Sequence, residues 1–454
     1  MTDAPFLITV LPNVFGYRRR DFTYRWFILV FTFFCYASYH LSRKPISVVK
    51  SVLHQNCSKV HADPSINTTE HPNWCDWAPF DDSDYKAMFG TLDVCYLVAY
   101  ALAMFLSGHI ADRMNLRLYL SAGMVLSGLF TVGFGLGYFY NIHSYYYYIA
   151  MQIIGGVFQA SGWPGVVACV GNWFGKGKRG LIMGVWNAHT SVGNMLGSVI
   201  AGAFVETNWG LSFVVPGVII GGMGILVFLF LVPHPKDVDC MLPDHSDATK
   251  VNIVSRNIDT EADTEEELMV KRGESTGVLE FALCLFFAKL VSYTFLYWLP
   301  NYIKSEAKVS AEKAAYTSTI FDAGGIVGGI LAGYISDKYH MRGVTCVLFL
   351  VLAAPMMFVY NQFGSSVPFG ANCVLLAVCG LAVNGPYALI TTAVSADLGT
   401  HKTVRDNAKA LGMVTAIIDG TGSIAFGANR CEGSPREAGG YRRRRYHHCA
   451  EDER

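Results

Sequence analysis

A small set of ionisable side chains lies inside long apolar stretches of the chain, where charge is unfavourable. An ionised side chain inside a bilayer costs roughly 2.5–3.5 kcal/mol on insertion scales, so each one needs a partner or a function. Arg43 is the strongest candidate for binding chemistry, because a guanidinium forks onto two phosphate oxygens and stays charged at any depth. The alternative is an interfacial arginine whose head reaches the lipid headgroups. The set consists of Arg43, Lys44, Asp93, Lys289, Asp322 and Asp419.

The composition places these side chains in a membrane protein. The chain has 454 residues, of which 52% are hydrophobic and only 15% are charged, against about 25% charged in a soluble domain. No set of side chains is spaced for catalysis, so we expect no enzyme. The 35 basic and 35 acidic residues cancel, which argues against a nucleic-acid partner. The twelve cysteines include no CxxC pair, so neither a metal site nor a cofactor is expected.

Eleven apolar segments of about the length that crosses a bilayer are predicted to be spanning helices. A polar, acidic stretch divides them into six and five, and its composition predicts a flexible cytoplasmic linker. The segments lie near 24–42, 88–108, 118–139, 145–170, 181–205, 211–232, 278–303, 315–335, 344–363, 370–394 and 410–427. The predicted parts are a cytoplasmic N-terminus (1–23), a six-helix unit (24–232), the linker (233–277), a five-helix unit (278–427) and a polar basic tail (428–454).

The distribution of lysine and arginine predicts which loops face the cytoplasm. Loops with charges such as Arg113 and Lys338 alternate with the short loops 140–144, 206–210 and 364–369, which carry none. This is the pattern of the positive-inside rule. It places the N-terminus in the cytoplasm and the long loop after the first segment in the lumen.

The predicted lumenal loop, residues 43–87, contains features of a secretory compartment. Asn56-Cys57-Ser58 and Asn67-Thr68-Thr69 are glycosylation acceptor sequences, which are used only on the lumenal side. Cys57 and Cys75 share the loop and could form a disulfide there. Two free thiols remain the alternative.

A short motif occurs once in each half. Residues 108–117 and 333–342 both read G-x-x-x-D-(R/K)-x-x-x-R, at the end of the second segment of each unit. Glycine permits close helix contact, and the charges can pair across a cytoplasmic turn. The motif predicts two related six-helix units, as in the major facilitator superfamily. Its paired charges, predicted to have structural or gating roles, are Asp112, Arg113, Asp337 and Lys338.

Longer stretches of sequence carry a more specific resemblance. They are 39–47 (YHLSRKPIS), 171–180 (GNWFGKGKRG), 288–300 (AKLVSYTFLYWLP), 395–402 (SADLGTHK) and 418–423 (IDGTGS). On these residues the chain resembles a sugar-phosphate exchanger of the solute carrier 37 family, within the organophosphate:phosphate antiporters. The resemblance runs from about residue 20 to 424.

The resemblance implies a fold, an activity and a location. The fold is an all-α membrane protein of the major facilitator superfamily, with two six-helix repeats of which the last helix is missing here. The activity is exchange of a phosphorylated sugar of the glucose 6-phosphate class, or of glycerol 3-phosphate, for inorganic phosphate. The location is the endoplasmic reticulum membrane.

The resemblance also implies roles for individual residues. Arg43 matches a phosphate-binding arginine, and Lys44 is its neighbour. Bacterial relatives have a second arginine where this chain has Ser292, and Lys289 lies about one helical turn earlier. Lys289 could therefore supply the second positive charge, or it could pair with Asp322 or Asp419.

A substrate-contacting histidine of the bacterial relatives falls near residue 189. His189 is that residue by type, but Thr190 holds the place if the register is shifted by one. A histidine in a span is also often a packed residue that binds nothing. Asp93, Asp322 and Asp419 are predicted to be structural or gating partners.

Two other functions remain open at the level of sequence. The chain could be a non-transporting membrane protein, because residues 429–454 contain no Val, Ile, Leu, Met, Phe or Trp and no span can form there. We expect from this an altered or truncated C-terminus. The chain could also be a facilitator of an unphosphorylated solute, which would not need Arg43.

Overall fold

The computed structural model describes residues 5, 20–55, 57, 74–111, 113–174, 185–241, 278–339, 341–364, 367–394 and 416–423. Regular structure in these residues is helical throughout. Eight of the described helices are long and apolar enough to cross a membrane. Each of the eleven predicted segments contains a helix, so the predicted all-α membrane fold is confirmed.

In the described residues, the first half contains eight α-helices. They are α1 (Arg20–Arg43), α2 (Pro45–Leu53), α3 (Tyr85–Ala111), α4 (Leu116–Phe139), α5 (Tyr145–Gln159), α6 (Gly162–Trp173), α7 (His189–Val205) and α8 (Leu211–Phe230).

The second half follows the stretch predicted to be a linker, most of which lies outside the described residues. Its helices are α9 (Val278–Ala307), α10 (Ala311–Tyr339), α11 (Arg342–Phe363), α12 (Phe369–Leu389) and α13 (416–423). A π-helical turn, Ile390–Val394, continues α12. The predicted tail lies outside the described residues.

The first helix does not end where the sequence analysis placed it. The loop predicted over 43–87 is partly wrong, because α2 continues the helical path through Leu53. Pro45 explains the break between α1 and α2: it removes one backbone donor but is well suited to the first turn of a helix. In the described residues α2 ends at Leu53 and the next long helix begins at Tyr85, so Arg43 lies in the middle of a broken helix rather than at its end.

The surface of the helix bundle is apolar, as a bilayer requires. Large side chains such as Leu106, Leu129 and Val347 are exposed outward, which would be unfavourable for a protein in water. Inside each half, small residues let helices approach closely: a Cβ built on Gly128 of α4 would lie 2.5 Å from the backbone oxygen of Gly217 in α8. Such contacts replace the hydrophobic effect as the source of packing in lipid.

Candidate functional site

Arg43 lies in the interior of the bundle, at the junction of α1 and α2. Its side chain is 6% exposed, and its Nε donates a 2.8 Å hydrogen bond to Oε1 of Gln159 at the end of α5. The Gln159 amide is fixed in turn by donating to the hydroxyls of Ser42 (2.8 Å) and Ser127 (2.7 Å). The guanidinium is thus oriented by neutral groups, which leave its charge in place.

The Arg43 charge has no acidic partner among the residues that the structure describes. No carboxylate lies within 4.0 Å of it, and its buried Nη2 has no hydrogen-bond acceptor. Its Cζ lies 4.7 Å from the centre of the Tyr100 ring, a cation–π contact that stabilises the charge only partly. The interfacial alternative is therefore wrong: Arg43 lines a cavity inside the bundle with unused donors.

Lys289 forms an ion pair with Asp419, one of the two aspartates considered from sequence. Lys289 Nζ lies 2.7 Å from Asp419 Oδ1 and also donates to the Asp419 backbone oxygen (3.0 Å) and Ser423 Oγ (2.7 Å). The other carboxylate oxygen accepts from Tyr100 Oη at 3.0 Å. Asp419 thus neutralises the charge of Lys289 in this structure.

Tyr100 connects the two cations. Its ring contacts Arg43, and Lys289 Nζ lies 5.8 Å from the centre of the same ring. Arg43 and Asp419 line one cavity, which lies between the two halves of the molecule. An anion in this cavity would therefore meet one free cation directly and could draw a second one away from its carboxylate.

Lys44 and Ser292, predicted to bind substrate, lie in a neighbouring cavity. Lys44 Nζ donates a 3.1 Å bond to the backbone oxygen of Leu296 in α9. Ser292 Oγ donates to Asn384 Oδ1 at 2.9 Å. Asp322 lines the same cavity, so sequence neighbours Arg43 and Lys44 serve different cavities.

Thr190, rather than His189, lines the cavity with Arg43. His189 is fully buried and packs edge-on against Trp186 and Tyr36, with ring centres 4.4 and 4.8 Å apart. Thr190 Oγ1 lies 3.4 Å from His40 Nε2. The geometry favours the shifted register that the sequence left open.

Comparison with known proteins agrees with this architecture. The profile of the Major Facilitator Superfamily matches residues 32–427. Glucose-6-phosphate exchanger SLC37A2 of Mus musculus is 55% identical over 429 residues, which cover 89% of this chain and 85% of that protein. This chain belongs to the SLC37 family. SLC37A2 of Homo sapiens is 54% identical, covering 92% and 88% of the two chains, and glucose-6-phosphate exchanger SLC37A1 of Mus musculus is 50% identical, covering 89% and 86%.

Solved structures support the fold alone. The proton:xylose symporter XylE bound to 6-bromo-6-deoxy-D-glucose matches with a TM-score of 0.61 at 14% identity, covering 91% of this chain and 90% of that one. A bacterial homolog of the human lysosomal transporter Spinster, inward-facing and unoccupied, matches with a TM-score of 0.59 at 17% identity, covering 88% and 81%. Both have the major facilitator fold seen here.

The sequence analysis named only one partner, Asp93, of a second ion pair in this SLC37 chain. Asp93 of α3 binds Lys50 of α2, whose Nζ lies 2.7 and 2.5 Å from its two carboxylate oxygens. Asp93 also accepts a 3.1 Å bond from Nε1 of Trp298 in the second half. Lys50 escaped the sequence analysis because it lies in the stretch taken for a loop.

Further contacts join the halves at the same end of the bundle. Lys304 Nζ donates to the backbone oxygen of Ser51, and the backbone N–H of Glu312 donates to Glu206 Oε1 at 3.3 Å. With the Asp93–Trp298 bond these contacts close the end that the charge pattern assigns to the lumen.

Polar but uncharged residues form the rest of the site and were missed from sequence. The search for charges inside spans does not detect amides, hydroxyls or phenols, although burial makes each of them need a partner as well. The missed residues are Gln159, Asn194, Asn384, Tyr100 and His40.

The repeated motif lies at the same position in each half of this SLC37 chain. Arg113 directly follows α3, and Asp337 and Lys338 lie in the last turn of α10. Lys338 Nζ approaches the ring of Tyr339, 5.5 Å from its centre. Asp112 lies outside the described residues.

The predicted lumenal loop is closed by a disulfide between Cys57 and Cys75, so the alternative of free thiols does not hold in the structure. Next to it, His54 Nδ1 lies 3.0 Å from Asp76 Oδ2. Burial raises the pKa of the Asp76 carboxyl, while the Gln55 N–H and His54 oppose that shift. Asn56 and Asn67 lie outside the described residues.

Proposed function

We propose that this chain is a membrane antiporter that exchanges a phosphorylated sugar, of the glucose 6-phosphate class, for inorganic phosphate. The observation that carries the proposal is Arg43, a buried guanidinium without a carboxylate partner in the described part of the chain. It faces a cavity between the two halves, where transporters of this fold bind their substrates. The SLC37 relatives are named as glucose-6-phosphate exchangers, which gives the substrate class.

The phosphate group binds at Arg43. Nη2, which has no acceptor in the described residues, donates to the phosphate oxygens in charge-assisted hydrogen bonds. Thr190 Oγ1 belongs to a residue that lines the same cavity and adds a hydroxyl contact. Lys289 joins as the substrate's second negative charge draws it away from Asp419, and Tyr100 stays with the carboxylate.

Electrostatics favours exchange over one-way transport. With an anion bound, the positive charge of Arg43 is neutralised and the halves can rock around the site. Without it, a buried charge stays unpaired in a medium of low dielectric, which opposes reorientation. The binding site therefore turns back to the other side of the membrane only after another phosphate-containing anion has bound.

The two alternatives are less well supported. If the chain were a facilitator of an unphosphorylated solute, the buried charge of Arg43 would have no function. If it were a non-transporting membrane protein, the whole cavity would have no function. We also propose the endoplasmic reticulum as the location of this multi-pass membrane protein, on the family resemblance and the two glycosylation sequences. No catalytic role is proposed.

Exchange of labelled phosphate for phosphate in proteoliposomes tests the function. We expect the parent chain to exchange, and Arg43→Ala to lose exchange while inserting normally. Arg43→Lys should also fail, since an ammonium cannot fork onto two oxygens. Lys313→Ala, which removes an exposed cation far from the cavities, is the control. Normal exchange by either Arg43 variant would contradict the assignment.

A further inference from the structure

A second polar cavity lies beside the one that contains Arg43. Thr190, Tyr293 and Tyr387 line both cavities, so the two cavities adjoin each other. Residues of both halves form the second cavity. Its polar side chains are His40, Lys44, Asn194, Ser292, Asp322 and Asn384.

Two polar atoms of this second cavity lack a hydrogen bond of normal length. Asn194 Oδ1 and His40 Nδ1 have no partner within 3.5 Å in the described residues, although Asn194 and His40 are only 6% and 2% exposed and their side chains interact with each other. A buried polar atom left without a partner costs about 1–3 kcal/mol. Such atoms on the wall of a cavity between moving halves indicate that a ligand supplies the partners.

The groups present suit a neutral polyol rather than a second anion. Asp322 accepts a 3.1 Å bond from Asn194 Nδ2, and no basic nitrogen of the described residues lies within 4.0 Å of it. Its carboxylate repels a phosphate but accepts hydrogen bonds from hydroxyl groups. Lys44 and the amides of Asn194 and Asn384 donate to the hydroxyl oxygens, so this cavity has both partners that a sugar hydroxyl needs.

We propose that this second cavity binds the hydroxylated part of the sugar phosphate, and that Asp322 and Asn194 set the preference among sugars while the phosphate remains at Arg43. The proposal rests on the proposed exchange function. Because Asn194 belongs to α7 and Asp322 to α10, a sugar that contacts both side chains touches both halves. A short substrate such as inorganic phosphate reaches only the Arg43 cavity.

A competing explanation is that the Asn194–Asp322 bond only holds the halves together. Loss of such a bond would affect all substrates alike. Loss of a hydroxyl contact weakens binding of glucose 6-phosphate. It does not change the binding of compounds that lack that hydroxyl group. The two explanations therefore differ in the pattern across substrates rather than in the overall rate.

The test measures how well unlabelled compounds compete with labelled phosphate exchange in proteoliposomes. The compounds are glucose 6-phosphate, its single-deoxy analogues, glycerol 3-phosphate and phosphate. In the parent chain we expect at least one deoxy analogue to compete about tenfold more weakly than glucose 6-phosphate, because the site loses a hydrogen bond to a buried polar group. In Asp322→Asn or Asn194→Ala that tenfold difference should shrink towards one.

The control is Ser318→Ala. Ser318 lies one turn before Asp322 on α10, and among the described residues its hydroxyl bonds only its own helix, at Ala315 O, so the deoxy penalty should persist. The proposal is overturned if the parent shows no deoxy penalty, if the penalty persists in both cavity variants, or if both lose phosphate and glucose 6-phosphate competition equally.

Binding measurements separate this proposal from the proposed function. Thermal stabilisation of the purified chain by each compound gives the same comparison without transport. If the chain is stabilised by phosphate and sugar phosphate but does not exchange them, the exchange function fails and the deoxy comparison still decides the second cavity. If no compound stabilises a variant that remains folded, the assigned cavity residue is needed for all binding and the proposal is wrong.

Discussion

At the scale of single residues, the charge of Arg43 depends on a neutral neighbour. Gln159 holds the guanidinium through Nε without cancelling its charge. A carboxylate in the same place would form a buried ion pair with the guanidinium and compete with any bound anion. The amide of Gln159 is therefore as important to the site as the arginine itself.

We expect Gln159→Glu to abolish phosphate exchange while the protein remains folded. Glutamate has the shape of glutamine, and the hydroxyls of Ser42 and Ser127 can reverse their bonds and donate to it. Exchange and thermal stability in detergent are measured together. Gln362→Glu, on an exposed position of α11, is the control, and retained exchange in Gln159→Glu would show that the charge of Arg43 is not needed.

The Lys289–Asp419 pair makes a separate prediction. Removing one partner of a buried ion pair costs about 3–5 kcal/mol, whereas replacing both with apolar groups is often tolerated. Lys289→Met should therefore destabilise the protein, and adding Asp419→Leu should restore its unfolding temperature. Exchange should stay impaired in the double variant, because the second cation is missing. A stable double variant with normal exchange would exclude Lys289 from phosphate binding.

At the scale of helices, the break between α1 and α2 gives the first span two functions. The α1 side of the break places Arg43 in the cavity, and α2 carries Lys50 to Asp93 at the predicted lumenal end. Arg43 and Lys44 line different cavities because successive residues of a helix point about 100° apart, and Lys44 keeps helical backbone angles (φ −73°, ψ −30°).

The contact of Trp298 with Asp93 is expected to help hold the lumenal end closed. Trp298→Phe keeps an aromatic ring beside Lys50 Nζ, which lies 4.5 Å from the indole, but removes the hydrogen bond between the halves. A cysteine introduced at the buried Ser51 should then react several-fold faster with a lumenal, membrane-impermeant thiol reagent. Trp26→Phe, on the exposed face of α1, should leave the reaction rate unchanged. If the cysteine reacts at the same rate in the Trp298→Phe and Trp26→Phe variants, Trp298 does not help to hold the lumenal end closed.

At the scale of the whole molecule, the halves meet through polar contacts that substrate binding can rearrange. Tyr100 of the first half binds Asp419 of the second, and Lys44 of the first binds Leu296 O of the second. These bonds lie beside the cavities, whereas the Asp93–Trp298 bond lies at the closed end. Exchange therefore requires the contacts beside the cavities and those at the closed end to rearrange.

The orientation of the molecule is tested by glycosylation. We expect glycans on Asn56, Asn67 or both, because the loop between α2 and α3 lies opposite the basic loops. A deglycosylating enzyme should increase the electrophoretic mobility of the parent chain, and replacing both asparagines with glutamine should abolish that shift. Reaction of an external probe with the loop 176–180, in sealed vesicles whose lumen faces inward, checks the cytoplasmic side. If the loop is protected from the probe, the predicted topology is wrong and the loop faces the lumen.

The sequence by itself determined the class and the apolar segments, and it singled out Arg43 as the candidate for phosphate binding. These follow from properties that are local in the chain: segment length, the unfavourable burial of charge, and the side on which lysine and arginine accumulate. The resemblance to the family was likewise carried by contiguous stretches, and the comparisons confirmed it.

Tertiary structure decided what each charge does. From sequence, two aspartates were possible partners of Lys289. The structure identifies Asp419 as the partner, because the segment around 419 lies against α9. Lys50 looked like a loop lysine until α2 brought it beside Asp93, and Thr190 rather than His189 reached the cavity because one residue turns a helix by about 100°. Pairing energies depend on distances between segments far apart in sequence, so no local pattern could assign them.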